Sequence, residues 1–134
     1  MSVDYVKYVS EKTKSIIANT KKCFSDLKEK LNNLEAVNIK LAKQYLDDNK
    51  LNEAYFRLKI IHLLWPNNID GTYFYAVLLI LSEKKDKAVE VLSKINNDEH
   101  IDKLLHVAKD HDANYILDTV EKNNIKLSEL SNVL

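Results

Sequence analysis

LAKQYLDDNKLNEAYFRLKII, residues 41–61, recurs in outline 34 residues later as YAVLLILSEKKDKAVEVLSKI, residues 75–95. The shift places Ala42 on Ala76, Ala54 on Ala88, Leu58 on Leu92 and Ile61 on Ile95, while Leu41 meets Tyr75 and Tyr45 meets Leu79. Small residues meet small ones and large apolar residues meet large ones. Small residues let two helices approach closely, and large ones fill the space beside them. A repeat of this period is the sequence sign of stacked helical units.

The punctuation between the apolar runs fits helices. Asp47-Asp48-Asn49-Lys50 marks the turn inside the first copy, with Asn52 near the next helix start. Pro66-Asn67-Asn68 separates the copies, and Ser82-Glu83-Lys84-Lys85-Asp86 is the turn inside the second. Asn96-Asn97-Asp98 then caps a helix from about Glu99 to Lys109, and Asp112 starts another that Asn123-Asn124 stops. Residues 126–132 form a last short helix. The register is lost after residue 100, so the C-terminus reads as a cap. The chain has one glycine, Gly71, and one proline, Pro66, too few for strands joined by tight turns. The fold class expected is therefore all-α.

These residues resemble the tetratricopeptide repeat, a family with two antiparallel helices per 34-residue unit. Counted from Glu35, the family's small first-helix residue falls on Ala42, its tyrosine on Tyr45, its second-helix alanine on Ala54, its large apolar residue on Leu58 and its closing proline on Pro66. The second copy, from Ile69, keeps Ala76, Ala88 and Leu92 and has His100 in the place of proline. Asn38 and Thr72 stand where the family has tryptophan, and Ile61 and Ile95 where it has a second small residue. The resemblance implies antiparallel hairpins over residues 35–100; the flanking patterns read as a helix over 1–34 and capping helices over 101–134, all within a single helical domain. It also implies a concave groove lined by Ile39, Lys43, Leu46, Tyr73, Val77 and Ile80, which would take a peptide or helix of a partner protein. Some members grip a C-terminal carboxylate with lysine and asparagine there. Ile39 and Tyr73 replace them, so an acidic chaperone tail is not the expected ligand.

The first 34 residues read as one helix. Ile17, Thr20, Phe24, Leu27, Leu31 and Leu34 alternate by three and four, which puts them on one stripe. Asn32 and Asn33 are poor helix residues, so a break is expected near them. The stripe packs either on the rest of the domain or on a second copy. Intramolecular packing is preferred, because the stripe is short for a coiled coil. Residues 73–81 are apolar on every side, so the groove face of that helix requires cover. The candidates are the stripe Ile17, Phe24 and Leu31, or the segment around Tyr115, Ile116 and Val120.

Composition narrows the function. Of 134 residues, 46% are hydrophobic, and 20 basic residues balance 20 acidic ones. A nucleic-acid binder carries a basic surplus, and none exists here. The longest apolar run, Ala76–Leu81, is far short of the roughly 20 residues that span a bilayer. No signal peptide is visible at the start, so a cytoplasmic location is expected, with secretion as an effector left open. Arg57 is the only arginine and asparagine is abundant, a bias of AT-rich genomes such as those of intracellular bacteria. Cys23, the only cysteine, reads as a small buried apolar residue.

Asp102 and His106 are four apart on one helix face, and His100 and His111 lie nearby, but two ligands do not make a metal site. With one glycine there is neither a phosphate-cradling loop nor a nucleophile elbow. His62, between Ile61 and Leu63, reads as packed. No catalytic residue, metal or cofactor is expected. The expectation is a protein-interaction adaptor or scaffold. Alternatives are a bacterial secretion-type chaperone, a protein that self-associates through its N-terminal helix and, remotely, a metal-dependent enzyme.

Overall fold

A computed structural model describes residues 3–134, with side chains from residue 6 onward. The described residues are all-α. Six α-helices follow in order: α1 (Val3–Asp47), α2 (Leu51–Leu64), α3 (Ile69–Leu81), α4 (Lys85–Ser93), α5 (Glu99–Asp110) and α6 (Ala113–Asn123). A 3-10 helix, Leu127–Asn132, closes the chain. The chain divides into two compact units, one ending at Ala36 and one spanning Val37–Leu134.

The first unit is helix alone. The break expected at Asn32 and Asn33 does not occur, because α1 continues through them to Asp47. Each asparagine costs well under ~1 kcal/mol of helix propensity, and no proline or glycine interrupts the turn.

The second unit shows the 34-residue period in its turns. The Asn49 amide bonds the Leu46 carbonyl and the Lys50 amide bonds the Tyr45 carbonyl. Thirty-four residues later Glu83 bonds Ile80 and Lys84 bonds Leu79 in the same way. Both are left-handed helix endings, with φ of 59° at Asn49 and 61° at Glu83. Asn124 ends α6 likewise, at φ 50°. Helix starts are capped by side chains at three places. Asn68 accepts from the Gly71 amide at 2.8 Å, Asp98 from Ile101 at 2.9 Å and Asp112 from Asn114 at 3.0 Å. Asn52 lies near a helix start as expected, in the first turn of α2, whose N-cap is Lys50.

Helix α3 is the centre of this unit. Ten consecutive residues, Gly71–Ile80, are buried, with α2, α4, α5 and α6 all packed against the helix. The alanines that define the repeat, Ala42, Ala54, Ala76 and Ala88, are completely buried. Ile61 stands where the resemblance would place a small residue, and Gly71 makes the room on the facing helix. A Cβ on Gly71 would lie 2.8 Å from Ile61 Cγ2 and 3.3 Å from Ile39 Cδ1. The residues replacing the family's tryptophan find polar partners. Thr72 donates to the Pro66 carbonyl at 3.4 Å, and Asn38 accepts from Arg57 at 2.9 Å.

Three stability outcomes follow from this packing. Gly71→Ala gains helix propensity but drives a methyl into Ile61, so it destabilises by about 1–2 kcal/mol net. Ala54→Leu and Ala88→Leu destabilise by about 1–3 kcal/mol each through overpacking. Glu83→Gly removes the left-handed penalty at that turn and stabilises by about 1 kcal/mol. Urea unfolding of each variant checks the signs, and an unchanged midpoint for Gly71→Ala contradicts the close approach at that site.

Candidate functional site

The groove residues do not form an open surface. Leu46, Tyr73, Val77 and Ile80 are buried in the core, and their reading as partner contacts is corrected accordingly. The cover comes from the C-terminal helices: α5 and α6 lie on α3, with Ile116 fully buried and Val120 partly buried. Burial pushes the Tyr73 hydroxyl well above its usual range. Ile39 is half-buried beside Gly71. Lys43 alone is exposed, its ammonium 5.8 Å from the Phe74 ring centre.

Apolar surface is exposed on α2 instead. Its inner face, Ala54, Leu58 and Ile61, is buried. Its outer face carries Phe56 at 68% exposure, Ile60 at 50%, Leu63 at 80% and Leu64 at 60%. Phe56, Ile60 and Leu63 are spaced by four and three, so they form one stripe along the helix. At its N-terminal end the stripe opens onto a depression of ≈ 400 Å³ lined by Leu51, Tyr55, Phe56, Leu78, Leu81 and Lys84, among others. Lys84 donates to the Tyr55 hydroxyl at 3.3 Å and sits 5.2 Å from its ring centre. That hydrogen bond is the main reason the Tyr55 hydroxyl is held below its usual range. The Tyr55 ring in turn lies 5.9 Å from Tyr75. The patch is thus an apolar and aromatic surface with a cation at its edge.

Unlike residues 73–81, α2 is interrupted by Asn52, Glu53, Arg57, Lys59 and His62, so its sequence does not mark it as apolar on every side. Which helix the C-terminal pair covers is decided by topology.

His62 packs behind the shelf, its ring 5.2 Å from Tyr75. Its Nδ1 is buried without a hydrogen-bond partner among the described residues. Burial, and then the charges of Lys94 and Lys87, hold its pKa below 6.5. His100, His106 and His111 are exposed, and His111 stacks on Tyr115 at 3.9 Å. Among the described residues no group of three His, Cys, Asp or Glu side chains is placed to hold a metal ion. No helix among them is long and apolar enough to cross a membrane. Cys23 is exposed and does not pack as the sequence suggested. No protein-family model, curated protein or solved structure matches the chain.

The depressed His62 pKa gives a pH dependence with a definite sign. The folded state resists protonating His62, so the unfolded chain takes up that proton more readily. This contribution to stability is full above the unfolded pKa near 6.5 and is lost as pH falls below it. Denaturant midpoints between pH 5 and 8 will show a fall on the acid side that is shallower in His62→Gln. Identical slopes in the two proteins contradict the assignment.

Proposed function

We propose that this chain is a non-catalytic protein-interaction module of tetratricopeptide-like build. It docks an amphipathic helix of a partner protein on the outer face of α2. The observation that carries the reading is the exposed row Phe56, Ile60 and Leu63 on a helix whose other face is locked into the core. Soluble proteins seldom leave large apolar side chains contiguous and bare unless something binds them. The spacing by four and three suits the apolar stripe of an incoming helix. Phe56 beside the depression offers an aromatic anchor of the kind that dominates interface energy. Burial of Tyr73, Val77 and Ile80 supports moving the docking surface from the concave groove to α2. The 34-residue turn geometry and the buried alanines support the tetratricopeptide-like build.

A photo-crosslinking residue in place of Ile60 is expected to capture one discrete partner protein in cells of the source organism. Phe56→Glu is expected to abolish that capture while shifting stability by less than about 0.5 kcal/mol, because the side chain is exposed. Cross-links only between copies of the chain would support the self-association alternative. Capture that survives Phe56→Glu would place the docking surface elsewhere.

A further inference from the structure

The N-terminal unit carries an apolar stripe of its own. Val6, Val9, Ile16, Ile17, Phe24, Leu27, Leu31 and Leu34 are between 45 and 68% exposed. Written as heptads abcdefg, Ile17, Phe24 and Leu31 fall at a, and Val6, Thr13, Thr20, Leu27 and Leu34 at d. Lys7, Lys14, Lys21 and Lys28 then all fall at e. A straight helix drifts only about 20° per heptad, so these four exposed lysines form one rim along the stripe. The Thr13 and Thr20 hydroxyls donate to the Val9 and Ile16 carbonyls at 2.9 and 2.8 Å. Their hydrogen-bonding needs are met within the helix, which makes these d layers easier to cover. None of the four lysines forms an ion pair among the described residues.

We propose that this stripe is a second docking seam, for an amphipathic helix of another protein that carries carboxylates at seven-residue intervals beside its own apolar stripe. The charge pattern selects that partner. In a parallel pair with a second copy, position e faces position g. Lys14, Lys21 and Lys28 would then face Val9, Ile16 and Cys23, and the one matched charge pair would be Lys30 with Glu35. In an antiparallel pair the lysine rims would face each other, and like charges repel. Lysines outnumber Glu11, Asp26 and Glu29 on the polar face, so an anionic lipid surface is the competing occupant, which the vesicle arm of the test separates. An acidic rim meets all four lysines at once, and each such pair adds a small, salt-sensitive increment.

The seam does not involve α2, so its test is separate from that of the α2 reading. The probe is a synthetic four-heptad peptide with isoleucine and leucine at a and d and glutamate at e and g. The control is the same peptide with lysine at e and g. Titrated against the full-length chain, the glutamate peptide is expected to bind about tenfold or more tightly than the control and to weaken at high salt. The triple variant Lys14→Glu, Lys21→Glu, Lys28→Glu is expected to reverse the preference, with its helicity by circular dichroism confirming the fold. Phe56→Glu is expected to leave the binding unchanged. Equal affinity for the two peptides, or no binding of either, overturns the proposal. Self-association that closes the seam, seen by light scattering at the concentrations titrated, also overturns it. So does binding to phosphatidylserine vesicles that the triple variant abolishes while peptide preference stays the same.

Discussion

Burial of α3 on every side is the constraint on which the rest of the Val37–Leu134 unit depends. Its residues Gly71–Ile80 are buried without a break, and a helix without a wet face needs neighbours all round. α2 and α4 supply two, in hairpins whose turns repeat after 34 residues. α5 and α6 supply the remainder. Gly71 allows the closest approach, beside Ile61 and Ile39. Filling the groove stabilises the unit, and it also removes Tyr73, Val77 and Ile80 from solution.

Covering α3 leaves α2 as the apolar helix with one side bare. The same residues that give α2 its inner anchor, Ala54, Leu58 and Ile61, leave Phe56, Ile60 and Leu63 pointing away from the core. Tyr55, which accepts from Lys84 and lies near Tyr75, borders one end of this face.

Much of this was legible in the residues. Helix ends were marked by asparagine, aspartate and proline, whose local chemistry acts over three or four residues, and Asp98, Asp112 and Asn124 hold the ends they were expected to hold. The alanine pairs marked positions that are completely buried. Three things were less legible. Weak propensity at Asn32 and Asn33 did not break α1, since the penalty is small beside the cost of ending a helix. The compensation of Ile61 by Gly71 joins positions on different helices, and no local pattern reveals it. The burial of Tyr73, Val77 and Ile80 depends on where α5 and α6 pack, which is a long-range choice.

Native-state hydrogen exchange of α3 tests most directly the claim that the groove is filled by the chain itself. If α5 and α6 are fixed cover, the amides of residues 73–80 exchange only through global unfolding, with protection equal to the full unfolding free energy. If those amides exchange through a smaller local opening that also releases α5 and α6, the groove is accessible. The account of α2 as the docking face would then be contradicted.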